Sequence, residues 1–208
     1  MTGVVFHSIG FLPADASWNA IFAAMLLVLL ALRHTQRLLS TPGHLRTPRN
    51  PRLNNLAALR RRHARPAHVS QAVEQLVLPL DCSVVAGFSA AGGANGPPYI
   101  ECDALPKDCT PALVLVNRVS GGQSGEALLK DFAEHLSPLQ VWDLSDGGPT
   151  EALTLFRRVP RLRILACGGD GTIGWVGQAM QDANLAPGAL LCPVALGTGN
   201  DFSRALGW

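Results

Sequence analysis

The sequence predicts an α/β domain on a parallel sheet over residues 111–208. Three observations carry that prediction. Short apolar runs alternate with stretches of helical period. Glycine-rich turns follow those runs. The turns recur at the same place in successive units. An alternation of this kind, βα-βα-βα-βα, calls for parallel strands with helices on the faces of the sheet.

Each element has its own signal. Ala112–Asn117 is a continuous apolar run, as expected of a strand buried on both faces. Ser120–Gly125 is a loop. In the stretch that follows, Leu128, Phe132 and Leu136 share one helical face, and Glu126 with Lys130 forms an i, i+4 pair. Gln140–Leu144 reads as a short strand. Thr150–Val159 places Ala152, Leu155, Phe156 and Val159 on one helical face. Arg161–Cys167 is the next buried strand. A glycine turn, Gly168–Thr172, leads into a helix expected to open at Thr172, with Ile173, Val176 and Met180 in register. Ala189–Leu196 is a strand interrupted by Pro193. Gly197–Asp201 is a loop, and Asp201 is the expected N-cap of a last helix.

In such a sheet, ligands bind beyond the carboxyl ends of the strands. Arg118–Gly125, Gly168–Thr172 and Gly197–Asp201 all fall there, and all combine Gly with Ser, Thr, Asn or Asp. Glycine lets the backbone approach a ligand closely. Successive N–H groups ahead of a helix form a concavity for phosphate. A tight strand-to-helix turn without a ligand is the structural alternative. Gly169-x-Gly171-x-x-Gly174 also satisfies the dinucleotide fingerprint, but the region about 20 positions on where an acidic residue would hold a ribose, "LLCPVALGTGN", has none before Asp201. A P-loop is excluded, since no Gly-Lys pair occurs and the lysines are Lys107 and Lys130 alone. Phosphate binding then rests on backbone N–H groups, on Thr and Asn side chains, and on a metal or an arginine.

The N-terminal half has a different character. Ala16–Leu32 carries no charge in seventeen residues, at the short end of what spans a bilayer. Between Ala16 and Val73 there is no Asp or Glu, but there are nine arginines. That bias places everything after Leu32 in the cytosol. The cluster Ala58–Pro66 is suited to anionic lipid headgroups or to a solvated linker. No aromatic residues interleave the arginines, so no nucleic-acid partner is expected. Gly87–Tyr99, rich in Gly, Ala and Pro, reads as linker. Of the five cysteines none forms a C-x-x-C pair, and reduced thiols are expected. The expected organisation is a membrane-associated hydrophobic helix over 1–38, a flexible basic and Gly/Pro-rich linker over 39–110, and the α/β domain over 111–208.

Together, "LVNRVSGGQSG", "VWDLSDGGP", "FRRVPRLRILACGGDGTIGW" and "PVALGTGNDFSRALGW" resemble the catalytic domain of eukaryotic diacylglycerol kinases. The Gly-Gly-Asp-Gly-Thr turn is shared more widely, with sphingosine kinases and NAD kinases among others. The resemblance implies transfer of the γ-phosphoryl of ATP to diacylglycerol in a membrane, with Mg2+ bridging the phosphates. It assigns nucleotide-binding roles to Asn117, Ser120, Gly121, Gly122, Gly168, Gly169, Gly171, Thr172, Gly197, Thr198, Gly199, Asn200 and Asp201. Asp170 is the carboxylate it marks as catalytic; the metal ligands are not assigned. Arg118 stands where the family usually has proline. The cysteine-rich lipid-binding modules are absent, and "LVLPLD" looks like the segment that follows them. The family adds a second, mainly β half after the fourth βα unit, and with that half missing little activity is expected of this chain alone. The competing readings are an NAD kinase-like nucleotide kinase and a non-catalytic, membrane-bound truncated isoform.

Overall fold

The computed structural model describes residues 53–63, 71–87, 96–121, 124–196 and 200–207. The expected membrane helix over 1–38 lies outside them. Among the described residues, no helix is long and apolar enough to cross a membrane.

Four strands form one parallel sheet: β3 (Ala112–Val116), β4 (Val141–Asp143), β5 (Arg163–Gly168) and β6 (Leu190–Ala195), in the spatial order β4-β3-β5-β6. Every residue of β3, β4 and β5 is buried, which is why these strands read as apolar runs rather than alternating, with charge only at the ends, Arg163 opening β5 and Asp143 closing β4. Successive residues serve opposite faces. Leu113, Leu115, Trp142, Ile164 and Ala166 join the core beneath helices α4 (Thr150–Phe156) and α5 (Asp170–Asp182). Ala112, Val114, Val116, Val141, Leu165 and Cys167 join the core beneath α3 (Ser124–His135). The sheet is therefore covered on both sides. The strand order reverses direction after β3, so the connections leaving β3 and β5 diverge at a crevice where ligands bind in this class of fold.

Some boundaries differ from the sequence expectation. Helix α4 stops at Phe156 rather than Val159. Val159 precedes Pro160, whose ring disfavours a helical residue before it. Helix α5 opens at Asp170 rather than Thr172, because the Gly169 carbonyl already accepts from the N–H groups of Thr172 (2.9 Å) and Ile173 (3.2 Å).

The larger difference lies upstream of Pro111, where a linker is expected. Helix α1 (Leu56–Arg62) and the single turn α2 (Gln71–Glu74) precede an antiparallel hairpin, β1 (Ser83–Gly87) with β2 (Gly96–Glu101). Gly87 and Gly96–Tyr99 are thus strand residues, and 88–95 lie outside the described residues. Leu59, Leu78, Val84 and Ile100 are buried in the same core as α4 and α5. Arg157 clamps the hairpin, donating to the carbonyls of Pro97 (3.0 Å), Pro98 (3.1 Å) and Thr154 (2.6 Å). The guanidinium of Arg158 lies 3.9 Å from the Tyr99 ring centroid. Gln140, with none of its surface exposed, ties residues 76–78 to the sheet. Its amide donates to the carbonyls of Leu76 and Ala112 (2.7 Å each), and its oxygen accepts from the N–H groups of Leu78 (2.8 Å) and Ser137 (3.2 Å).

The expectation of reduced thiols needs correcting for one pair. Cys82 and Cys102 form a disulfide. The hairpin register pairs Ser83 with Glu101, which brings the two flanking cysteines opposite each other. Cys109, Cys167 and Cys192 are free and buried.

The basic cluster is also partly structural. Arg60 Nε donates to Val84 O (2.8 Å) and Arg62 Nη2 to Pro138 O (2.9 Å), so α1 is pinned to β1 and to the loop after α3. Arg61, between them, is exposed. Residues 64–66 of the cluster lie outside the described residues.

Candidate active site

Two of the three expected loops are joined by a side-chain bridge. Asn117 follows β3 directly, and its backbone N–H donates to Cys167 O on β5 (2.9 Å). Its Nδ2 donates to Thr172 Oγ1 on α5 (3.1 Å), and its Oδ1 accepts from Val119 N–H (3.3 Å). Ser120 N–H donates to Asn117 O (3.1 Å), closing a tight turn with Gly121 at φ +64°. The side chain of Ser124, the first residue of α3, donates to Gly121 O (2.7 Å). Gly125 has to be glycine: a Cβ there would lie 2.5 Å from Asn117 O and 2.8 Å from Arg118 Cα.

A second link joins the β5 turn to the last helix, α6 (Asp201–Ala205). One Asp170 oxygen accepts from Asp201 N–H (2.9 Å) and the other from Phe202 N–H (3.2 Å). The expected N-cap, Asp201, is instead the first helical residue. Asn200 occupies the cap position and makes no side-chain cap bond. The capping oxygens come from Asp170, across the gap between the β5 and β6 loops. Asp201 pairs with Arg204 (2.8 Å). Asn200 and Thr172 are buried, so both are held by packing as well as by bonding.

Gly168, Gly169 and Gly171 shape the turn. A Cβ on Gly168 would collide with Thr172 Oγ1, Cβ and Cγ2, whereas Gly171 and Gly174 face open space. The leading N–H groups of an α-helix have no partner within the helix. At α5 the N–H groups of Thr172 and Ile173 bond Gly169 O, which leaves those of Asp170 and Gly171 as the leading donors, with open space at Gly171 and Gly174. This arrangement supplies donors at a helix N-terminus, which is chemistry for an anion. Gly122, Gly197, Thr198 and Gly199 lie outside the described residues.

Sequence reasoning missed an ion pair beside the crevice. Arg118 Nε lies 3.3 Å from Asp143 Oδ2 at the end of β4, and Asp143 Oδ1 accepts from Ser145 N–H (2.9 Å). An aspartate at a strand's carboxyl end was the available signal. Nothing in the sequence named its partner.

Burial disfavours the thiolate, the nucleophilic form, at both Cys167 and Cys192. Burial pushes Cys167 well above the ordinary thiol range, reinforced by Cys192, and pushes Cys192 up to about 12. Among the described residues, no group of three or more His, Cys, Asp or Glu is arranged to hold a metal ion.

Fold and site therefore define a class: an α/β domain that gathers glycine-rich turns at the switch point of a parallel sheet. Residues 111–208 match the diacylglycerol kinase catalytic domain. Diacylglycerol kinase 1 of Drosophila melanogaster is 52% identical over 98 residues, 47% of this chain and 8% of the relative. Human diacylglycerol kinase zeta is 50% identical over 98 residues, 47% of this chain and 11% of the relative. Mouse diacylglycerol kinase theta is 47% identical over 110 residues, 50% of this chain and 12% of the relative. The chain thus covers only a small part of these relatives. No solved structure matches it.

Proposed function

We propose that this chain carries the nucleotide-binding part of an ATP-dependent lipid kinase that converts diacylglycerol to phosphatidic acid. The observation that supports this best is the pairwise linkage of the expected loops. Asn117 bonds Thr172, and Asp170 bonds Asp201 and Phe202, so three loops are tied side by side in a stretch about half identical to diacylglycerol kinases. In the proposed reaction the primary hydroxyl oxygen of diacylglycerol attacks the γ-phosphorus. The bond to the β,γ-bridging oxygen breaks, ADP leaves, and the hydroxyl proton passes to a base. Such transfer depends on positioning and charge stabilisation more than on covalent chemistry by the protein. Helix α5 suits the phosphates through its leading N–H groups. Mg2+ would be held by the phosphate oxygens, waters and a carboxylate, for which Asp170 is the candidate, and would supply charge neutralisation at the phosphates.

We place the catalytic part on the cytosolic side of a membrane. The uncharged run Ala16–Leu32, followed by arginines, supports that placement. Arg61 and the Nη end of Arg60, both exposed, are the described groups of the basic cluster left to meet anionic headgroups, since Arg60 bonds a carbonyl through Nε alone.

The test is incubation of the chain with Mg-ATP and either diacylglycerol in vesicles or NAD. Any turnover by this chain alone is expected to be low, with phosphatidic acid as its product. NADP in its place would favour the NAD kinase-like reading. ATP binding with transfer to neither acceptor would overturn the kinase activity for this chain and favour the non-catalytic one. No calorimetric ATP signal at about millimolar nucleotide, the upper end of ordinary enzyme affinities, would remove the nucleotide site itself.

A further inference from the structure

The geometry points to Arg118 as the side-chain cation that binds the terminal phosphate of the nucleotide, held in place by Asp143. This rests on the nucleotide reading above and adds a residue to it.

Polyphosphate at a helix N-terminus meets partial charges only, and side-chain cations usually supply the rest. Among the described residues of the loops that leave β3, β4, β5 and β6, Arg118 is the single basic residue. Arg204, one turn into α6, is engaged by Asp201 at 2.8 Å.

Arg118 is also placed with care. Asn117, before it, is bonded to Cys167 and Thr172, and Val119, after it, donates to Asn117 Oδ1. Its Cα is packed against Gly125, where even a methyl group would not fit. The backbone is therefore fixed on both sides of the arginine and from above.

The side chain is half docked. The Asp143 side chain is 7% exposed, and the Ser145 N–H orients its carboxylate. That carboxylate takes the Nε side of a guanidinium that is 44% exposed. The Nη edge, with its four N–H donors, is left for an incoming anion. An arginine fork presents two parallel donors to phosphate, and pre-orientation by a buried carboxylate reduces the ordering that binding would otherwise require. The mundane alternative is a surface ion pair that merely steadies the loop.

The two roles separate by how their effect depends on phosphate number. The full chain would be titrated calorimetrically with Mg-ATP, Mg-ADP and AMP, for wild type, Arg118→Ala, Arg118→Lys and Asp143→Asn. If Arg118 holds the terminal phosphate, Arg118→Ala weakens ATP about tenfold, the loss of one charge-assisted contact, and leaves AMP unchanged. Arg118→Lys recovers part of the loss, because the charge remains without the fork. Asp143→Asn gives a smaller, ATP-selective loss. Equal losses for ATP, ADP and AMP, or no loss for any, would overturn the assignment. Should Arg118→Ala not fold, the ATP-to-AMP ratio of Arg118→Lys decides, since a purely structural arginine leaves that ratio at the wild-type value. A wild-type chain that binds no nucleotide would remove the site reading and this assignment together. Wild-type binding with an unshifted ratio in the variants would remove the assignment alone.

Discussion

Gln140→Leu should be among the most damaging single changes that leave the crevice untouched. Gln140 is wholly buried, and all of its amide bonding is to protein groups. Leucine fills a similar volume but returns no hydrogen bond. Ala112 O loses its Gln donor, while Leu76 O keeps one partner, Ala112 N–H at 2.9 Å. The N–H groups of Leu78 and Ser137 lose the acceptor that now serves both. A buried N–H left unpaired costs about 1–3 kcal/mol, so two give about 2–6 kcal/mol before any gain from the apolar side chain. Against a total stability of about 5–15 kcal/mol, that is a large share. Urea denaturation followed by circular dichroism would read it as a lower midpoint at unchanged m-value. Gln140→Glu separates bonding from packing. A carboxylate oxygen would face the two carbonyls that now accept, so this variant should be worse than leucine at neutral pH. Burial among acceptors favours the protonated acid, so the folded state binds the extra proton and the deficit shrinks as pH falls. A Gln140→Leu midpoint equal to wild type would refute the idea that residues 76–78 are latched to the sheet through this amide.

Three further outcomes follow from the same geometry. Gly168→Ala should cost about 1–3 kcal/mol through overpacking and weaken ATP binding, because the added methyl displaces Thr172 from Asn117; calorimetry at unchanged affinity would contradict it. His63 sits with Nε2 3.0 Å from Pro79 O, and burial lowers its pKa below the ordinary 6.5. The unfolded chain therefore binds the proton first. Stability contributed by neutral His63 is complete above 6.5 and is lost as pH falls through the lowered folded-state value, by at most about 1.4 kcal/mol per pH unit. His63→Gln should lose that component of the pH profile, and identical slopes for the two proteins would reject the sign. Reduction of Cys82–Cys102, twenty residues apart, should lower stability by about 3 kcal/mol in the chain-entropy view. Cys82→Ala with Cys102→Ala should then melt like the reduced wild type, and equal melting of oxidised and reduced protein would show that the bridge contributes nothing.

The sheet was legible because its strands are buried on both faces, and continuous apolar runs between glycine turns are the signature of that environment. The glycine turns were legible because backbone geometry is a local property. Hairpin β1–β2 was hidden for the opposite reason. Its second strand opens Gly96-Pro97-Pro98, residues that argue against strand. It is held by Arg157, roughly sixty residues downstream. Arg60 and Arg62 read as solvated charge for the same reason, since their acceptors lie 24 and 76 positions away. At the site, the loops were identified but their side-chain pairing was not. Asn117 finds Thr172, Arg118 finds Asp143, and Asp170 finds α6 only once the parallel order β4-β3-β5-β6 brings the strand ends together.

Asp170 shows how that pairing changes the chemistry a residue is assigned. Read from sequence, it is the carboxylate of a glycine turn, available for catalysis. In the fold, each of its oxygens accepts an N–H from the start of α6, so removing it would release that helix as well as a charge. A carboxylate has about four acceptor positions, and two are used here. The remaining two can still meet a metal ion or a substrate hydroxyl without giving up α6. The structural bond thus fixes the orientation of the free lone pairs and ties the β6 loop to the β5 turn. Loss of activity in Asp170→Ala would therefore mix two effects. Asp170→Asn retains one acceptor for α6 while removing the charge, and the difference between the two variants separates positioning of the loop from contact with the ligand.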